Sequence, residues 1–210
     1  EKQIRDIPAD GGTVGSFAKS TGTLVGNEVE YKLGLYNNGP SAVDTDFPVA
    51  VADGLGNLPL KDFSWCAAVL TGTAGFREGT SGSFLGNTDR PSNYCDTEAN
   101  WTTGPLPSNL YWHSSAQGTR ENPVPQINIY IKATVTENAV GETWNNTAVI
   151  TPDGQGPQDS YFGNNTSTAS FNVPKAPRWI VAKGSVPAKD TVVTAGQDVA
   201  YTVTGTVQKN

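Results

Sequence analysis

A lysine, an asparagine and a carboxylic acid held together away from water can condense into an amide. The lysine must be neutral, and burial favours that by lowering the pKa of an amine. The acid must keep its proton, polarise the carboxamide and shuttle protons to the departing ammonia. Lys19, Asn146 and Asp53 are the preferred candidates for such an isopeptide bond in this 210-residue chain. Asn165 and Asn172 are alternative partners, and Asp46 is an alternative acid. The competing reading is a solvated lysine with turn-forming asparagines, and it is the commoner case because lysine is rarely buried.

Other residue types suggest other chemistry. Cys66 and Cys95 are the only cysteines and His113 is the only histidine. That set falls short of the four ligands of a structural zinc site. In an extracellular chain such a pair reads as one disulfide. Trp101, Tyr111, Trp112 and His113 form an aromatic cluster that could anchor a glycan or a host protein; the alternative is a small core beneath a long loop. Asp44, Asp46 and Asp53, and separately Asp153, Asp159 and Asn164, are oxygen-rich stretches, but their spacing is not that of a calcium loop. Turn residues bonding their own backbone are the favoured account. No nucleophile motif adjoins His113, and no phosphate-cradling glycine loop precedes a helix. The expectation is therefore no enzyme, no cofactor and no metal.

The elements that must position these residues are strands. Val29, Tyr31, Leu33 and Leu35 alternate with Glu30, Lys32 and Gly34, and Ile127, Ile129, Ile131, Ala133 and Val135 alternate with polar neighbours. Period two with β-branched and aromatic residues marks half-buried strands. Asn37-Asn38-Gly39-Pro40, Asp53-Gly54 and Pro152-Asp153-Gly154 punctuate them as turns. From about residue 71 to 125 the rhythm breaks into a Gly-, Ser-, Asn- and Thr-rich insertion that also carries Phe76, Phe84, Tyr94, Trp101, Tyr111 and Trp112. Net charge is −6 and the 14 basic residues are scattered, which argues against nucleic acid. No apolar run reaches the length of a membrane span.

An internal repeat sets the domain count. Gly26-Asn27-Glu28-Val29-Glu30-Tyr31 matches Gly196-Gln197-Asp198-Val199-Ala200-Tyr201, and Phe17-Ala18-Lys19-Ser20 matches Val181-Ala182-Lys183-Gly184. This pairs Lys19 with Lys183. Val173-Pro174-Lys175-Ala176-Pro177 reads as a stiff linker. Residues 1–12 are expected to be an N-terminal extension, 13–174 a sandwich, and 175–210 a linker with the first two strands of a second, incomplete repeat. Two strands alone leave unpaired edges and the apolar face of Val199, Tyr201 and Val203, which should seek a neighbouring repeat or another chain.

These motifs resemble the immunoglobulin-like "conserved repeat" domain of bacterial cell-surface proteins. The resemblance rests on Gly-x-x-Val-x-Tyr followed by Asn37-Asn38-Gly39-Pro40-Ser41-Ala42, on Trp144 to Gly154, and on Asn164-Asn165-Thr166. Cys66 and Cys95 fall where many members carry a cysteine pair. Lys183 to Tyr201 resembles the opening of a further such repeat or of related fimbrial repeats. The long insertion and the stretch before Asp53 depart from the pattern. The resemblance implies an all-β, immunoglobulin-like β-sandwich outside a bacterial cell, serving as a structural repeat of a stalk, fibre or pilus. An adhesin module that binds glycan or host protein through the insertion is the second reading.

Overall fold

In the computed structural model the described residues are 1–37, 42–43, 45–46, 49–114, 125–151, 162–175 and 178–208. The chain is nearly all β. Its helical segments are single 3-10 turns, such as Tyr94–Asp96 and Glu98–Asn100. Two compact units divide it, Glu1–Pro174 and Lys175–Asn210.

Unit 1 is a sandwich of two sheets. The first sheet runs in the order β1 (Lys2–Ile7), β3 (Glu28–Leu35), β10 (Ile127–Val135), β5 (Leu60–Val69), β8 (Thr102–Thr103). The second runs β2 (Ser20–Gly22), β12 (Thr166–Asn172), β11 (Thr143–Thr151), β4 (Val49–Asp53), β9 (Leu110–Ser114), β6 (Ala74–Glu78), β7 (Leu85–Gly86). The alternation in β3 and β10 becomes a register. Tyr31 lies opposite Ile131, which lies opposite Trp65, so buried side chains form rows across three strands. Val51, Phe76, Leu110, Trp112, Ala148 and Phe171 meet them from the second sheet. Each fully buried side chain of this size contributes about 1.5–3 kcal/mol.

One expectation changes. Residues 1–12 do not precede the sandwich, because Lys2–Ile7 is an edge strand of the first sheet and Ile4 is fully buried. The insertion carries short strands, and its β6 and β9 extend the second sheet beyond β4. The segment after β1 also closes the sandwich edge. Ala18 exchanges backbone hydrogen bonds of 2.7 and 2.9 Å with Ile4 in one sheet. A few residues later β2 pairs in parallel with β12 of the other.

The outward face of the first sheet carries the disulfide. Cys66 lies opposite Tyr130 on that face, and bonds to Cys95 with 5.8 Å between Cα atoms. The bond pins the two 3-10 turns of the insertion onto β5. Trp101 is fixed nearby, its Nε1 donating to the Cys95 carbonyl at 2.9 Å and its ring lying 4.0 Å from the Lys132 ammonium.

Unit 2 consists of β13 (Arg178–Val186) paired antiparallel with β14 (Ala200–Gln208). Tyr201 and Val203 are exposed on it.

Breaking the disulfide is expected to destabilise unit 1 by about 3–4 kcal/mol, from the loop-closure entropy of a 29-residue separation. Amide exchange in residues 90–104 should accelerate first on reduction, while β3 and β10 stay protected. Uniform acceleration across all strands would show that the bond holds the core itself.

Candidate functional site

The side chains of β1 alternate, and its buried positions are Lys2 and Ile4. A lysine therefore occupies a place where period two requires an apolar residue. Lys2 lies opposite Leu33, and Tyr31 is its diagonal neighbour across the strand pair. The Lys2 Nζ stands 4.7 Å from the centre of the Tyr31 ring. Both residues are completely buried.

A second diagonal pair faces this one from the other sheet. Ala148 of β11 lies opposite Asp53 of β4, and Asn146 is two residues before Ala148 on the same buried face. Diagonal neighbours in an antiparallel pair are close enough for polar side chains to interact. Asn146 accordingly stands against both the Asp53 carboxyl and the Tyr31 phenol. Packed sheets are about 10 Å apart, and the long Lys2 side chain crosses that gap. Its Nζ donates to Asp53 Oδ1 at 2.6 Å and Oδ2 at 2.7 Å, with both side chains shielded from solvent.

Burial moves both partners toward their neutral forms. The Lys2 amine is lowered to about 8, chiefly by burial and against the pull of Asp53. Burial likewise raises the Asp53 carboxyl, while Lys2 and Asn146 oppose the shift. The Asn146 Oδ1 and Nδ2 and the Tyr31 Oη are buried, and none completes a hydrogen bond. A neutral amine, a protonated acid and an unengaged carboxamide are what amide formation requires.

The sequence reading brings Asn146 and Asp53 to this place, but a different lysine. Lys19 Nζ donates to the Lys2 carbonyl at 2.9 Å and to Ser167 Oγ at 3.1 Å, outside the core. Ser167 Oγ also accepts from the Lys2 backbone N–H at 2.9 Å, so Lys19 helps seat the strand that carries Lys2. Asn165 is half-buried, lines a cavity together with Lys2 and gives its carbonyl to Ile150 N–H, and Asn172 is exposed. Asp46 is exposed.

The aromatic candidates are not one cluster. Trp112 points into the core at 2% exposure, whereas its strand neighbours Tyr111 and His113 are half-buried on the other face of β9. His113 meets Phe84 edge-on at 4.5 Å. Trp101 belongs to the first sheet's outward face, beside the disulfide. Among the described residues no group of three or more His, Cys, Asp or Glu could hold a metal; Asp44, Asp153 and Asp159 lie outside the described residues.

No family model matches the sequence, and no curated protein matches it. Among solved structures the chain is similar to BcpA, the major pilin subunit of Bacillus cereus, at 12% identity and a TM-score of 0.29. That match covers 94% of this chain and 61% of the pilin. A point variant of the same subunit matches at 12% identity and a TM-score of 0.23, covering 96% and 62%. The chain thus spans about three fifths of the length of those subunits. A likeness this distant decides nothing, and the geometry of the site itself carries the functional reading.

Replacing Asn146 by alanine removes the carboxamide and leaves Lys2 free to titrate. Its pKa falls from 10.5 to about 8 on folding. Between those values the unfolded chain keeps a proton that the folded chain has lost. Stability rises with pH wherever the unfolded state binds more protons. The urea midpoint of Asn146→Ala should therefore increase from about pH 8 to about pH 10. Asp53, whose pKa is raised, acts in the opposite sense at acid pH. A flat alkaline profile would mean that Lys2 keeps its charge inside the fold.

Proposed function

We propose that this chain is a structural module of an extracellular bacterial fibre, such as a pilus or adhesin stalk, and that unit 1 ties itself together by an isopeptide bond between Lys2 and Asn146. The observation that carries the reading is the fully buried Lys2–Asp53 pair with Asn146 beside it. A buried ion pair seldom adds stability over apolar residues of equal volume. Its placement out of reach of solvent therefore calls for a chemical explanation.

The condensation runs in balanced steps. Lys2 gives a proton to Asp53 and becomes a neutral amine. The Nζ lone pair attacks Asn146 Cγ, and a C–N bond forms. The proton held by Asp53 passes to Nδ2 as the Cγ–Nδ2 bond breaks, and ammonia leaves. The nitrogen releases its surplus proton to Asp53. The net change is one amide gained and one ammonia lost, with no oxidant and no cofactor. The step happens once per chain and consumes its own side chains, so it is self-modification without turnover.

The mechanical use follows from which strands are joined. β1 and β11 belong to different sheets, and hydrogen bonds between strands can break in succession under tension. A covalent tie from the first strand to the penultimate strand carries the load past them. Closing so long a loop should add about 5 kcal/mol by the chain-entropy relation used for disulfides. For a domain of this size that corresponds to about 10–20 °C in Tm.

Intact mass tests the proposal. The oxidised wild-type chain should be lighter than its disulfide-bonded sequence by one ammonia, and a digest should yield one branched species joining the Lys2 and Asn146 peptides. Lys2→Ala, Asn146→Ala and Asp53→Ala should each abolish the loss and lower Tm by the amount above. Lys19→Ala should keep it. A wild-type mass equal to the uncondensed sequence overturns the proposal.

A further inference from the structure

Tyr31 holds a hydroxyl that core packing does not need. Phenylalanine would fill the same ring space on β3 without bringing a polar atom inside. The Tyr31 Oη is buried with no completed hydrogen bond, and such an atom costs about 1–3 kcal/mol. It lies where two further atoms are in the same condition, the Oδ1 and Nδ2 of Asn146. Unpaired buried polar groups are rare in native structures, and three at one place call for an account.

The reaction proposed above supplies one. When Lys2 attacks Asn146 Cγ, negative charge develops on Oδ1, and a donor must meet it. Asp53, whose two oxygens face Lys2 Nζ at 2.6 and 2.7 Å, takes the lysine proton and delivers it to Nδ2. Its task lies on the nitrogen side of the tetrahedral centre. The oxygen side needs a donor that is near, dry and unengaged, and Tyr31 Oη is that group. Burial and the Asp53 charge raise the phenol's pKa, so it stays protonated and able to donate.

The strand register repeats this pairing. Lys183 lies opposite Val203, and Tyr201 is its diagonal neighbour in the same sense that Tyr31 neighbours Lys2. The Lys183 Nζ stands 4.4 Å from the Tyr201 ring. Lys183 thus corresponds to Lys2 and not to Lys19. The match persists where Tyr201 is exposed, so core packing does not account for it.

Resting on the isopeptide reading, we propose that Tyr31 is a catalytic residue of the condensation, its hydroxyl donating to Asn146 Oδ1 as charge builds there. Its ring meanwhile covers the lysine and holds the amine beside Asn146.

The test follows ammonia loss by mass in freshly synthesised chains, quenched at intervals after folding. Losing one oxyanion donor typically slows a reaction about 100- to 1000-fold. Tyr31→Phe keeps the ring and should form the bond slower by that order, with the disulfide and the β-sheet spectrum intact. A series of fluorinated tyrosines placed only at position 31 provides a readout that packing alone would not move. Their more acidic phenols should speed condensation in order of acidity. Tyr31→Phe condensing at the wild-type rate, or a flat fluorotyrosine series, overturns the role of Tyr31 and leaves the bond standing. A wild-type chain that never loses ammonia overturns both.

Discussion

Lys2 and Asp53 meet where water does not reach them. Removing either charge from water costs several kcal/mol even after the protein relaxes, and their contact returns only a fraction of that. Moving one proton from amine to acid abolishes both charges and most of the penalty. Burial therefore shifts both groups toward the neutral forms that the proposed condensation uses, without any residue dedicated to producing them. Much of the architecture keeps that place dry. The chain bends from β1 back along it to β2 and closes the sheet edge. Ser167 and Lys19 seat the β1 backbone from outside.

The two faces of the first sheet have separate tasks. Its inner face supplies Lys2 and Tyr31 among apolar rows from β3, β10 and β5. Its outer face is polar and aromatic: Arg5 reaches the buried Glu30 carboxylate, and its guanidinium stacks 4.4 Å over the Phe17 ring. The disulfide sits on this outer side and secures the insertion without intruding on the core. Strand alternation alone makes the division, since a shift of one residue in register would exchange the faces.

The strands of the sandwich were legible because β3 and β10 alternate without interruption. Asp53 and Asn146 were legible by residue type, and their meeting follows from a diagonal placement on β4 and β11 that only register reveals. β1 was not legible. A lysine at an inward position breaks the very alternation by which a strand is recognised, so Lys2 to Asp6 read as a charged extension. The repeat comparison then paired Lys183 with Lys19, the lysine nearest in a matching tetrapeptide. The strands pair it with Lys2, because the connection before β3 is longer than the one before β14. The scatter of the aromatic candidates has a simpler reason. Tyr111, Trp112 and His113 are consecutive on one strand, so they cannot share a face.

The Cys66–Cys95 bond also bears on how the protein withstands proteolysis. Arg77 and Arg90 lie within the ring that it closes, on the stretch between the two sulfurs. Arg90 precedes Pro91 and is shielded from a trypsin-like protease, and one that cut after Arg77 would open the backbone and release nothing. The new ends would remain tethered through sulfur to β5, with β6 still hydrogen-bonded to β9. Proteolytic damage in this region leaves a nicked sandwich in one piece.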